Sequence, residues 1–411
     1  MTQRRRYRIS IVDLGLVIAG LVIGVFVAEI GLRLVDQRYG YYHTEPLNTA
    51  TQIQEDIFIQ LRLHRPNTHY QFSPSPDYIE KMTDSLQPGV YVSDTDPDGL
   101  YKPGTEHKNP DLTILFLGGS TTENFFMKPE ERFPYAVAHL IEEHRKLKVN
   151  GLNMAMSGNV SMHSINNFLN LGLKFKPNIA ILMENINDYA MLYHERSYWN
   201  DHPNRSLLSK GVLLNNTSTG NPWDGVRIPT STAARSLVRN LWFRLTPHLA
   251  QRLSTQFGWK ESTPYSGDPQ DLRWKEPQPF DLDRIEFDFR RSLRTFVAVA
   301  RAWGVQPVLM TQPNRWPDSV DVDAPRSVKY FMQHKAITTV DYKKFLSGYK
   351  RLQRAIMDVA AEERIPVINL EVAVPRDTDH LFDPVHLTGK GSLLAAEYIS
   401  RQLENLGLIP R

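Results

Sequence analysis

Five short apolar runs recur along the second two thirds of the chain: residues 112–117 (LTILFL), 151–156 (GLNMAM), 178–183 (NIAILM), 306–311 (QPVLMT) and 365–370 (IPVINL). Between and after them lie stretches whose apolar residues recur every three or four positions, from PYAVAHLIEEHRKL at 134–147 to LLAAEYISRQLENL at 393–406. Runs apolar on both faces predict strands buried on both sides, and the three-to-four spacing predicts amphipathic helices. Their alternation predicts an α/β body, a three-layer sandwich around a five-stranded, mostly parallel sheet. Reactive groups in such sheets collect just beyond the carboxyl ends of the strands.

The amino-terminal pattern is different. Arg4, Arg5, Arg6 and Arg8 precede a stretch with no charged residue from Leu14 to Ala28. Those residues span about 22 Å at roughly 1.5 Å each, so a crossing of the hydrocarbon core also needs Ile9–Val12 and Ile30–Val35. A cleaved signal peptide is the rival reading, but the residue three before Glu29 is the bulky Phe26, where a small residue is wanted. The expectation is a basic tail at 1–8 and an uncleaved transmembrane anchor at 9–35. Arginines stay on the cytoplasmic side, which places the rest beyond the cytoplasmic membrane, in the periplasm or outside the cell. Residues 36–110, polar and rich in Tyr and Pro, read as a juxtamembrane segment, and 111–411 as the main domain.

Composition narrows the function. A formal net charge of +3 from 48 basic and 45 acidic residues, with no basic stripe in the body, argues against nucleic acid. The absence of cysteine excludes disulfides, thiolate metal sites and a cysteine nucleophile.

The strand ends carry the candidate chemistry. Ser120 follows the first run in LGGSTTE; alone it reads as a helix cap or a turn residue. Gly158 follows the second, where a backbone N–H can approach a ligand, and Asn187 follows the third with an amide donor. Asp383 and His386, three apart in FDPVHLTGKGS, follow the last. Together they supply a nucleophile, oxyanion donors, a base and its orienting acid. DTDH at 377–380 offers a second Asp-x-x-His pair, which spacing alone does not separate from the first. A metal site on these His and Asp residues is the weaker reading.

At these blocks, from Leu112 to the carboxyl terminus, the chain resembles the SGNH (GDSL-type) hydrolases, particularly bacterial membrane-anchored members. LGGSTTE resembles the variant with Gly-Gly-Ser in place of Gly-Asp-Ser, NMAMSGNVS matches Asn-x-x-x-Ser-Gly, and DPVH matches Asp-x-x-His. The third block reads Asn185-Ile-Asn187-Asp188 where the family has Gly-x-Asn-Asp, making Asn185 a departure and a candidate substrate-pocket residue. The resemblance implies a flavodoxin-like sheet and a Ser120–His386–Asp383 triad. It also implies an oxyanion hole from Ser120, Gly158 and Asn187, with neither cofactor nor metal.

Tether and resemblance together predict an esterase or O-acyltransferase acting on acyl, chiefly acetyl, esters of envelope polysaccharide or a lipid-linked saccharide. A noncatalytic glycan-binding or assembly subunit is the alternative, with Asn185 as its best support; a hydrolase of lipids or small esters is a third. An insertion at about 192–280 reads as a lid or substrate wall. Inside it, 232–254 reads as a basic amphipathic helix, packed on the core or resting on the anionic membrane or a membrane-protein partner.

Overall fold

The computed structural model describes residues 20, 23–31, 34, 56–59, 61–200, 205–211, 281–320, 323–334 and 339–410. The chain divides into two compact units, Met1–Ile57 with Lys210–Glu261, and Phe58–Ser209 with Ser262–Arg411. In the first, residues 23–31 are helical, with Ile23, Phe26, Val27 and Ile30 exposed and Glu29 buried. Among the described residues no helix is long and apolar enough to cross a membrane. Most of the expected anchor at 9–35, and all of the expected basic helix at 232–254, lie outside the described residues.

The second unit opens with an antiparallel hairpin, β1 (His69–Phe72) paired with β2 (Tyr91–Asp94). The central sheet follows: β3 (Leu112–Gly118), β4 (Val149–Asn153), β5 (Ile179–Met183), β6 (Gln306–Met310) and β7 (Val367–Ile368). Its spatial order is β4-β3-β5-β6-β7, and every pairing is parallel. The chain steps from β3 to β4 on one side, then crosses to build β5, β6 and β7 on the other, so the direction reverses beside β3. That is the doubly wound arrangement implied by the resemblance, and its crevice opens past the carboxyl ends of β3 and β5.

Alternation within β3 shows why both faces are covered. Leu112, Ile114 and Phe116 join one apolar cluster with Phe133, Val137, Ile399 and Leu403, from the helices Phe133–Arg145 and Gly389–Asn405. Leu115 and Leu117 point the other way, into a cluster with Phe168, Phe296 and Leu352, from Ser161–Asn170, Leu282–Ala302 and Thr339–Glu363. Side chains two residues apart share a face, so one strand anchors both helical layers. Phe116 is fully buried, and truncating such a residue to alanine costs about 3–5 kcal/mol.

Several boundaries differ from expectation. The second strand occupies Val149–Asn153, two residues earlier than its apolar run, because Asn150 and Asn153 are buried with hydrogen-bonding partners and the run overshoots into the site loop. The helix Leu282–Ala302 carries its apolar stripe from the first turn, with Ile285 and Phe289 buried, while Asp283 and Glu286 pair with Arg351. The fifth strand keeps only two residues.

Candidate active site

Ser120 is the first residue of a one-turn helix, Ser120–Glu123, entered directly from β3 through Gly118 and Gly119. It is not the cap: Gly119 holds that position, with no side-chain cap bond. A helix leaves its first N–H groups without acceptors of its own, so the Ser120 backbone N–H is available as a donor. A Cβ on Gly119 would fall 2.3 Å from Asn187 Nδ2, so only glycine lets the nucleophile turn pass this close to the amide.

His386 Nε2 lies 2.8 Å from Ser120 Oγ, and Nδ1 of the same ring lies 2.6 Å from Asp383 Oδ2. Asp383 Oδ1 accepts the backbone N–H groups of Val385 (2.9 Å) and His386 (2.8 Å), so the loop clamps its own carboxylate. With Nδ1–H given to the carboxylate, Nε2 presents its lone pair to the serine hydroxyl. Phe382 stacks on the imidazole, 5.5 Å between centroids and 9° from parallel. Arg315 secures the loop from beneath: Nε donates to the Asp383 carbonyl (2.9 Å), its backbone N–H to the Pro384 carbonyl (2.8 Å), and its guanidinium pairs with Asp84.

Burial of this pair penalises both charged forms. The penalty is outweighed on each side. The Asp383 carboxylate lifts the His386 pKa above the ordinary 6.5, with a smaller contribution from the charge of Glu123. The imidazole and the two backbone donors hold Asp383 below its ordinary 3.8. Both directions fit a carboxylate that stabilises the imidazolium formed when serine gives up its proton.

Gly158 occupies the turn after β4 with φ of +78°, a conformation that favours glycine, and its N–H has no backbone acceptor in the described residues. Asn187, in the first turn of the helix Ile186–Glu195, donates through Nδ2 to the Asn159 carbonyl (2.9 Å). That leaves its second amide hydrogen for an incoming oxygen. Serine, imidazole, carboxylate and amide therefore meet across the reversal in strand order. Strand order and site geometry agree with what the resemblance to the SGNH-type hydrolases implies.

Several solved structures are similar to the chain. A lipase/acylhydrolase from Enterococcus faecalis is 13% identical, with 72% of this chain and 96% of that one covered and a TM-score of 0.38. An acetyl xylan esterase variant from Geobacillus stearothermophilus is 13% identical, covering 71% and 94%, with a TM-score of 0.36. A GDSL-like lipase from Parabacteroides merdae is 13% identical, covering 74% and 99%, with a TM-score of 0.37. No protein-family model and no curated protein sequence matches the chain. At such distance the chemistry of the site rests on its own side-chain geometry.

One expected site residue lies elsewhere. Asn185 is fully buried, and its Nδ2 donates inward to the Tyr349 carbonyl (3.3 Å), so it does not line a substrate pocket. Its φ of −163° lies outside the left-handed region that favours glycine, so a side chain is accommodated there. The alternative histidine, His380, pairs with Asp377 at 2.7 Å, while the bond to Ser120 is made by His386. Among the described residues no group of three or more His, Asp or Glu side chains is arranged to hold a metal ion.

Two further residues of the sequence blocks are buried beside the site. Glu123, three positions after the nucleophile, is buried and accepts from Tyr101 (2.8 Å) and Ser157, with His64 Nε2 2.7 Å away. Burial opposes its ionisation, but the neighbouring His64 ring and the two hydroxyl donors hold its pKa below the ordinary 4.5. Its place as the last residue of the LGGSTTE block is the sequence signal that marks it. At the end of the third block, burial pushes Asp188 up to about 6 despite bonds from Ser161 and Tyr198.

Proposed function

We propose that the chain is a membrane-anchored, extracytoplasmic serine esterase or O-acyltransferase, acting on acetyl or related acyl esters of envelope polysaccharide or a lipid-linked saccharide. The observation that carries the catalytic part is the unbroken line Asp383–His386–Ser120, with separations of 2.6 and 2.8 Å. The anchor and its orientation are supported by the arginine-led apolar segment at 9–35.

In the reaction His386 Nε2 takes the Ser120 proton as Oγ bonds to the ester carbonyl carbon. The carbonyl π electrons move onto oxygen, which is held by the N–H groups of Ser120 and Gly158 and by Asn187 Nδ2. Collapse re-forms the carbonyl and breaks the bond to the alcohol oxygen, which leaves with the proton from His386. The acyl group now sits on Ser120. A second nucleophile gives its proton to His386 and attacks this ester; collapse breaks the bond to Ser120 Oγ, which takes the proton back from His386, and water completes a hydrolysis while a sugar hydroxyl completes a transfer. The noncatalytic alternative loses the residue it leaned on, since Asn185 faces the interior.

A fluorophosphonate followed by mass spectrometry tests the reading. Labelling at Ser120 in the wild type and none in Ser120→Ala is expected, with acetate release from acetylated envelope glycan exceeding release from long-chain esters. An unlabelled wild type rejects the enzyme, and a preference for long-chain esters rejects the glycan substrate.

A further inference from the structure

The turn that carries Gly158 is gripped by a residue far from the four sequence blocks. Arg62 Nη2 donates to the Ser157 carbonyl (2.9 Å) and Arg62 Nε to Asn159 Oδ1 (3.1 Å), so one guanidinium spans both sides of the glycine. The arginine is itself fixed through its main chain. Its carbonyl accepts from Asn167 Nδ2 (2.9 Å) and from Asn159 Nδ2 (3.3 Å). Contact with the glycine is close: a Cβ on Gly158 would lie 3.3 Å from Arg62 Nη2.

The geometry of the peptide unit gives this grip its meaning. The Ser157 carbonyl and the Gly158 N–H belong to one planar group and point in opposite directions. A donor fixed on that oxygen therefore fixes the direction of that hydrogen. Hydrogen bonding of the oxygen by a cation also polarises the unit and strengthens its N–H as a donor. The second end of the guanidinium steadies Asn159, whose carbonyl receives the Asn187 amide (2.9 Å). Two of the three oxyanion donors are thus aimed through contacts that begin at one side chain.

We infer that Arg62 is a positioning residue of the oxyanion hole, orienting the 157–158 peptide so that the Gly158 N–H meets the developing negative oxygen. The role rests on the hydrolase reading above and adds to it a part for the segment preceding the main domain. It acts on the transition state, where the oxygen is charged, more than on the bound ester, so its loss shows in kcat rather than KM.

The test uses the full-length chain in detergent, with 4-nitrophenyl acetate as substrate and a fluorophosphonate for Ser120. Arg62→Lys keeps the charge but replaces the rigid two-nitrogen edge with a single nitrogen, and Arg62→Ala removes both bonds. Expected losses in kcat are about 10- to 100-fold, below the roughly 100- to 1000-fold typical of deleting an oxyanion donor. KM should stay within about twofold, the acid limb of kcat/KM should not move, and the labelling rate should fall in step with kcat. Added methylguanidinium should restore part of the Arg62→Ala rate, which a merely unfolded variant would not allow. If Arg62→Ala does not fold, Arg62→Lys decides alone. Variants with kcat within twofold of wild type, a loss confined to KM, or a displaced acid limb would each overturn the role. A wild type neither active nor labelled overturns the hydrolase reading, and this role with it.

Discussion

Two Asp-x-x-His turns lie six residues apart (386 − 380), and locally they are near copies. Asp377 accepts the backbone N–H groups of Asp379 and His380 at 3.0 Å each and the His380 ring at 2.7 Å. Asp383 accepts the N–H groups of Val385 and His386 and the His386 ring at almost the same distances. The surroundings separate them. Asp377 is exposed and Asp383 buried, and it is His386 that stands opposite a serine hydroxyl. The His380 carbonyl instead braces the closing helix, accepting from the Thr388 N–H (3.0 Å) and packing so close to Gly391 that a Cβ there would lie 2.0 Å away. A three-residue spacing makes a carboxylate–imidazole pair; a base exists only where a distant strand end delivers the proton to be taken.

The sharpest way to break this contrast is to remove each imidazole. His386→Ala should lower kcat/KM by about 10⁴- to 10⁶-fold, and His380→Ala should leave it within about twofold, measured on 4-nitrophenyl acetate. Equal losses would erase the distinction. Exchanging the acids comes next: Asp383→Asn should cost about 10⁴-fold by favouring the wrong tautomer, while Asp377→Asn costs almost nothing. Asn187→Ala should lose about 100- to 1000-fold in kcat, because the cradle opposite His386 has no counterpart beside His380. The smallest effect is in pH. Protonated His386 cannot accept the serine proton, so kcat/KM should fall as pH drops through an apparent pKa above 6.5, the direction set by Asp383. Asp383→Asn should carry that limb to lower pH, and Asp377→Asn should leave it in place.

The parts of this site legible in the sequence were those that sit at strand ends. Ser120, Gly158, Asn187 and the Asp383–His386 pair follow runs whose two-sided apolarity announces a buried strand, and their order along the chain matched the order the resemblance implies. What stayed hidden depends on contacts between segments far apart in sequence. Arg62 reaches across 97 positions to Asn159, and Arg315 across 231 to Asp84, and nothing in a local window distinguishes either from a solvated arginine. Asn185 was misread for a related reason: the block gives its place in the chain but not the direction of its side chain, which Tyr349, 164 positions away, determines.

The hairpin segment between Phe58 and Pro110 also decides where the molecule can be cut. A fragment beginning at residue 111, where the first strand of the sheet invites a boundary, would leave Arg315 without Asp84, Glu123 without Tyr101 and Asn159 without Arg62. One beginning near Phe58 keeps all three. Whoever trims this protein for crystallisation or secretion should therefore keep the stem and shorten only what comes before it.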